Sequence, residues 1–133
     1  MDHVLGRYSE YSYALLRIMA GFLFAQHGAQ KLFGMLGGMG GEGQSAELFS
    51  LMGLAGIVEF FGGVMIALGL FGSWVAFVAS GEMAFAYFLS HAPQGFWAVL
   101  NNGERAVLFC FFFLYMATRG SGIWSLDRAM SRR

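Results

Sequence analysis

Charged residues are scarce in this sequence, and their scarcity excludes an ordinary water-soluble domain. Only 12% of the 133 residues are charged, while 57% are hydrophobic. About a quarter of the residues in a soluble domain are charged, so this chain lacks the charge to cover a water-facing surface. The formal net charge is zero and no block of like charges occurs, so no nucleic-acid partner is expected. The composition is typical of a chain embedded in a lipid bilayer.

Cysteine is almost absent, and catalytic motifs are not recognisable. The single cysteine, Cys110, lies in an apolar run and provides neither an intramolecular disulfide nor a Cys-x-x-Cys pair. The glycines between Gly37 and Gly43 follow an apolar segment instead of a strand, so they predict a flexible loop and not a phosphate-binding loop. No nucleophile–base pair is evident, so the residues alone select no reaction and no catalytic residue.

The sequence does contain four long apolar runs, each near the roughly 20 residues that a membrane-spanning helix needs. They cover residues 11–33, 46–70, 74–90 and 103–118. A glycine-rich stretch, a tight turn and the breakers Pro93 and Gly95 separate these runs. The pattern predicts an all-α fold, in the form of an integral membrane four-helix bundle, and a single domain over residues 1–133.

Positive charges are distributed unevenly between the two ends of the predicted bundle. The segments near the two termini hold six arginines, namely Arg7, Arg17, Arg119, Arg128, Arg132 and Arg133. The loops on the opposite side hold only Lys31 and Arg105, at their edges. Because Lys and Arg favour the cytoplasmic side of a membrane, both termini are predicted to be cytoplasmic. The expected location is the inner membrane of a bacterium, in a multi-pass arrangement.

Two carboxylates, Glu59 and Glu82, lie midway along the second and third apolar runs. A charge at the centre of a bilayer costs at least about 2.5 kcal/mol on insertion scales. Small residues such as Gly62 and Gly63 accompany Glu59 at helical spacing, so Glu59 is expected to face another helix and not lipid. Polar contacts between membrane helices contribute only about 0.6 kcal/mol on average. A purely structural pairing and a ligand or proton site both remain open.

Together with these two acids, the remaining polar side chains are expected to form a column of polar groups that faces the inside of the helix bundle. Most lie toward the outer surface, and one arginine lies toward the cytoplasm. The candidate ligand-binding or proton-relay residues are Arg17, His27, Gln30, Lys31, Glu59, Glu82, His91, Asn102 and Glu104. Haem between the two histidines, a metal held with a carboxylate and a quinone between aromatic walls are each geometrically open. No spacing motif favours a metal, and no metal site is predicted.

Several polar motifs within the apolar runs together resemble a known family. The most specific is the block from Phe24 to Gly34, which reads Phe-Ala-Gln-His-Gly-Ala-Gln-Lys-Leu-Phe-Gly. The others are Glu59-Phe-Phe-Gly-Gly, Glu82-Met-Ala, His91-Ala-Pro-Gln-Gly-Phe-Trp, Asn101-Asn-Gly-Glu and Trp124-Ser-Leu-Asp. From about Leu16 to Asp127 the sequence resembles the DoxX family of small bacterial membrane proteins.

The resemblance implies a four-helix membrane domain and a link to redox metabolism, since one relative is the quinone-reducing membrane subunit of thiosulfate:quinone oxidoreductase. The leading hypothesis is a subunit or accessory protein of a quinone-linked redox system, with quinone as the expected ligand. The rival hypothesis is a non-catalytic structural subunit of a larger membrane complex. A small transporter or proton pathway ranks third, because no repeat or broken helix is evident. Expected partners are the bilayer and either other membrane subunits or further copies of this chain.

Overall fold

The computed structural model describes residues 1–132, and regular structure in this range is helical apart from one isolated bridge between Met39 and Gln44. The helices are α1 (Asp2–Leu5), α2 (Ser9–Phe33), α3 (Leu51–Leu68), α4 (Gly72–Ala86), α5 (Ala98–Asn101), α6 (Glu104–Arg119) and α7 (Leu126–Ser131). The prediction of an all-α fold is therefore confirmed. Arg133, one of the arginines used to predict orientation, lies outside the described residues.

Local sequence explains where the long helices begin and end. Helix α2 ends at Phe33 because Gly34 adopts a left-handed conformation with a φ of 64°, which glycine adopts without steric penalty. Helix α3 begins at Leu51, later than the predicted start at residue 46. The reason is that Ser50 caps the helix, since its hydroxyl accepts a hydrogen bond of 3.1 Å from the Gly53 N–H.

Helix α4 continues beyond its regular part in two less regular turns. A π-helical turn, Tyr87–His91, and a 3₁₀ turn, Ala92–Gln94, extend it to the residue before Gly95. The short helix α5 then precedes α6. The wider π turn rotates the side chains that follow it, and such turns often occur at functional sites.

Within residues 1–132, two helical segments are long and apolar enough to cross a membrane. They are Leu51–Leu68, with a mean hydropathy of 2.0, and Gly72–Gln94, with a mean hydropathy of 1.2. Helix α2 has sufficient length, at 25 residues, but it carries Arg17, Gln26 and His27. Helix α6 has 16 residues. Two of the four predicted spans thus meet the criteria of length and composition.

Helices α2 and α3 pack with their backbones in direct contact, because glycines face each other. A Cβ atom on Gly28 would lie 2.2 Å from the backbone nitrogen of Phe60, and one on Gly21 would lie 2.5 Å from that of Ala67. A Cβ on Gly63 would likewise lie 2.4 Å from the Ala25 nitrogen. Small residues permit this close approach in membrane helices.

Helices α4 and α6 form a second packed pair. Ala76 and Ala79 of α4 are fully buried, as are Phe113 and Met116 of α6. The Phe24 ring of α2 contacts the Phe113 ring, with 4.9 Å between the ring centroids. This aromatic contact connects the α2–α3 pair with the α4–α6 pair.

Two adjacent glycines of α3 provide a matched test of the close helix contact. We expect Gly63→Ala to lower the free energy of unfolding by about 1–3 kcal/mol, because the added methyl overpacks the contact with α2. Gly62→Ala should cause no loss, since its Cβ would meet only side-chain atoms at ordinary contact distance, Val75 Cγ1 at 3.6 Å and Phe24 Cε1 at 3.9 Å, and Ala favours the helix. Thermal unfolding in mild detergent, followed by circular dichroism, measures both variants. Equal unfolding temperatures for the two variants would contradict the close backbone contact between α2 and α3 at Gly63.

Candidate functional site

A cavity of about 920 Å³ lies among α2, α3, α4 and α6. Most of its wall is aliphatic or aromatic, with Phe24, Val58, Met83 and Phe109 among the lining residues. Polar side chains line part of the wall, and they include His27, Lys31, Glu59, Glu82, His91, Asn102 and Arg105. The cavity therefore combines an apolar wall with a cluster of ionisable groups.

The central polar contact of the cavity is the ion pair between Lys31 and Glu59. Lys31 Nζ lies 2.5 Å from Glu59 Oε1, and the Glu59 side chain is only 3% exposed. The absence of a side chain at Gly28, one turn before Lys31, lets the backbone of Phe60 approach α2. Gly56 leaves room for the aliphatic part of Lys31, since a Cβ there would lie 3.0 Å from Lys31 Cβ. The glycines of both helices thus bring the two charges together.

Both acids of the cavity have an oxygen atom without a hydrogen-bond partner. Among residues 1–132, no group donates a hydrogen bond to Glu59 Oε2 or to Glu82 Oε2, and both atoms are buried. A buried acceptor without a donor is energetically costly, and the cost is larger for a charged group. These oxygens are therefore the groups of the cavity wall that a ligand could satisfy.

The two histidines of the cavity have different surroundings. His27 is half-buried and lies edge-on to Phe109, with ring centroids 6.5 Å apart. His91 stacks on the Tyr87 ring at 6.2 Å, and its Nδ1 lies 2.9 Å from the Asn101 carbonyl oxygen. Because a carbonyl only accepts, Nδ1 must donate, and Nε2 of a neutral His91 ring is then an acceptor.

Asn101 organises the segment that carries His91 and Asn102, although the sequence did not identify it as a site residue. It is 1% exposed, and its amide donates to the Gly95 carbonyl at 2.9 Å and to the Tyr87 hydroxyl at 3.2 Å. Its side-chain oxygen accepts from the Gly103 N–H at 2.8 Å. The one signal in the sequence was the pair of asparagines directly before Gly103.

Of the nine predicted site residues, six line the cavity, and three do not. The six are His27, Lys31, Glu59, Glu82, His91 and Asn102. The amide of Gln30 instead donates to the Leu36 carbonyl at 3.1 Å in the following loop. Glu104 is exposed in the first turn of α6, where a negative charge favours the helix dipole.

Arg17 belongs to a separate polar cluster, which holds chain segments together. Its side chain is fully buried, and its guanidinium donates to the carbonyls of Ser121, Ile123 and Trp124, the last two at 2.9 and 2.7 Å. A longer bond of 3.4 Å reaches the carbonyl of Ala67 near the end of α3. Arg17 therefore joins α2 and α3 to the segment that follows α6.

Asp127 extends this cluster, although its sequence pattern did not mark it as a site residue. Its carboxylate accepts hydrogen bonds from the Phe71 and Gly72 N–H groups at 2.7 and 2.8 Å and from the Ser121 hydroxyl at 2.7 Å. It thereby caps the start of α4. Partial burial alone would raise the pKa of the Asp127 carboxyl, but these hydrogen bonds and the charge of Arg17 lower the pKa below its ordinary value.

These features define a helical membrane protein with a partly polar cavity between its helices. The chain belongs to the DoxX family, whose model matches residues 12–92. It is 37% identical to an uncharacterized protein of Haemophilus influenzae over 136 residues, which cover 97% of this chain and 98% of the relative. No solved structure matches it. Within residues 1–132, no three His, Cys, Asp or Glu side chains are grouped as a metal site requires.

The hydrogen bonds of Asp127 predict a loss of stability in acid. Because the pKa is lower in the folded protein, the carboxylate stabilises the fold at neutral pH, and this contribution is lost as the pH falls below about 4. We expect Asp127→Asn to cost roughly 1–2 kcal/mol at neutral pH, as loss of bonds to a charged group does. The difference from the wild type should shrink in acid.

Unfolding temperatures measured between neutral pH and about pH 3 test this expectation. Asp2→Asn is the control, since Asp2 is exposed in the N-terminal helix. A difference between Asp127→Asn and the wild type that does not change with pH would contradict the stabilising role of the charge.

Proposed function

We propose that this chain is a four-span protein of the bacterial inner membrane, with both termini cytoplasmic. In this proposal it is a subunit or accessory protein of a quinone-linked redox system, and its cavity binds the quinone head group. The observation that carries the proposal is the cavity between the helices, with its apolar wall and its buried charges. Family membership supports the membrane location.

The size and the lining of the cavity suit a lipophilic molecule with a polar head. Its volume of about 920 Å³ lies within the roughly 300–1,000 Å³ typical of small-molecule sites. The Phe109 ring offers an apolar surface for a flat head group beside His27, in the cavity that the carboxylates of α3 and α4 also line. A quinone combines such a planar ring with polar substituents and an apolar tail.

Apolar residues at the surface offer a route for the tail. Four apolar residues line the cavity, yet each is more than half exposed: Leu51 and Leu54 of α3, Phe85 of α4 and Leu89 of the π-helical turn that follows α4. In a bilayer these exposed side chains would contact lipid. A ligand dissolved in the membrane could therefore enter sideways and leave its tail among the lipids.

The proposed orientation rests on the separation of the charges. Arg7, Arg128 and Arg132 are exposed near the two termini, which favours the cytoplasmic side for that end. Lys31 and Arg105 lie at the opposite end, beside the cavity. The head-group site would then lie toward the outer half of the membrane, away from the Arg17 cluster.

The quinone content of the purified protein tests the proposed function. We expect protein purified in mild detergent from a quinone-producing bacterium to retain close to one quinone per chain or per small oligomer. His27→Ala removes a cavity donor that the quinone carbonyl can accept from, and it should lower that content by about tenfold, the effect of losing roughly 1.4 kcal/mol of binding free energy. Solvent extraction followed by chromatography measures it.

Glu104→Gln is the matched control, because Glu104 is exposed and does not line the cavity. Its quinone content should equal that of the wild type. The proposal would be contradicted if the wild-type protein contained no quinone and was purified in a stoichiometric complex with another membrane protein. That result would favour the structural-subunit hypothesis. Equal quinone content in all variants would show that the quinone binds elsewhere.

A further inference from the structure

We propose that the cavity selects the reduced form of its ligand, so that it binds a hydroquinone more tightly than the corresponding quinone. This inference rests on the proposed function, because it concerns the same cavity and the same class of ligand. It follows from the hydrogen-bond acceptors that line the cavity without a donor.

The first of these acceptors is Glu59 Oε2. Glu59 is 2% exposed and lines the cavity, and within residues 1–132 no donor reaches this oxygen. Lys31 does not satisfy it, because its ammonium group is bound to the other carboxylate oxygen, Oε1, at 2.5 Å. The ion pair therefore leaves one buried acceptor available to a ligand.

The second acceptor comes from a different helix. Glu82 Oε2 on α4 is also buried, and no group of the described chain donates to it. His91 contributes a third acceptor when its ring is neutral, since Nδ1 donates to the Asn101 carbonyl and Nε2 carries the lone pair. The three acceptors thus come from α3, from α4 and from the extension of α4, and they line the same cavity.

The two redox forms of the ligand differ in the hydrogen bonds that they can make with these groups. A quinone has only carbonyl oxygens at its head, which accept hydrogen bonds, so it would leave the carboxylate oxygens without donors. A hydroquinone has two hydroxyl groups, each of which donates one hydrogen bond and also accepts. A hydrogen bond to a charged acceptor, such as the Glu59 carboxylate paired with Lys31, changes binding by about tenfold or more.

Donors in the cavity wall do not remove this preference. Lys31 and His27 line the cavity, and Arg105 is exposed beside it. Either form of the ligand can accept hydrogen bonds from these groups, because hydroxyl and carbonyl oxygens are both acceptors. Only the hydroquinone can accept from them and also donate to Glu59 and Glu82.

Anaerobic binding measurements on purified protein, after removal of native quinone, test the inference. The probes are a decyl-substituted benzohydroquinone, the corresponding benzoquinone and the dimethyl ether of the hydroquinone. The ether keeps the ring and the tail but has no hydroxyl donor, so it separates hydrogen bonding from shape. We expect the hydroquinone to bind at least about tenfold more tightly than the other two probes.

Two variants connect the preference to the carboxylates. Glu82→Gln replaces an acceptor oxygen with an amide donor of similar size, so the ratio of quinone to hydroquinone dissociation constants should fall toward one. Glu104→Gln, at an exposed position outside the cavity, should leave the ratio unchanged. If Glu82→Gln fails to fold, the ratio measured for the wild type still decides the inference.

The possible outcomes separate this inference from the proposed function. Equal binding of the three probes, or tighter binding of the quinone, would overturn the inference and leave quinone binding intact. A preference for the hydroquinone that persists in Glu82→Gln would show that Glu82 is not its source. Absence of binding by every probe would overturn both proposals.

Discussion

Three glycines let the backbones of α2 and α3 touch, and the buried ion pair of the cavity depends on that contact. A side chain at Gly28 would collide with the Phe60 backbone, so the position next to Glu59 can approach α2 only because glycine is there. Lys31 lies one turn beyond Gly28 and meets Glu59 in this geometry. The cavity lies between this α2–α3 pair and helices α4 and α6.

The polar groups of this chain divide into two clusters with different roles. At the cavity, carboxylate oxygens remain without donors, which suits a site that exchanges a ligand. At the other cluster, the Arg17 guanidinium and the Asp127 carboxylate are bound by backbone groups and by Ser121. Apart from Arg17 Nε, which has no partner among residues 1–132, these charged groups are hydrogen-bonded, and such networks stabilise one arrangement of the chain. The Arg17 cluster therefore fixes the helices that surround the cavity.

The sequence predicts the cavity residues better than it predicts the Arg17 cluster. Glu59 and His27 stand out because each interrupts an apolar run, and helical spacing places small residues around Glu59. Three of the four partners of Arg17 are backbone carbonyls more than a hundred positions away, and the sequence does not show which carbonyls a side chain will reach. The role of Asp127 likewise depends on a distant segment, the start of α4, and that of Asn101 depends on the conformation of the irregular turns between Tyr87 and Gly103. The π turn of the α4 extension has no sequence signal of its own.

Photolabelling offers the most direct test of the claim that this cavity is the ligand site. The experiment uses a quinone with a photoreactive group on its tail, bound to the protein in native membranes, followed by mass spectrometry of peptides. The account predicts labels on residues that line the cavity, such as Met52 and Phe85, and loss of these labels when unlabelled quinone is added in excess. The account would be contradicted if the exposed residues Leu108 and Phe111 of α6 were labelled as strongly as the cavity residues and unlabelled quinone did not reduce the labelling.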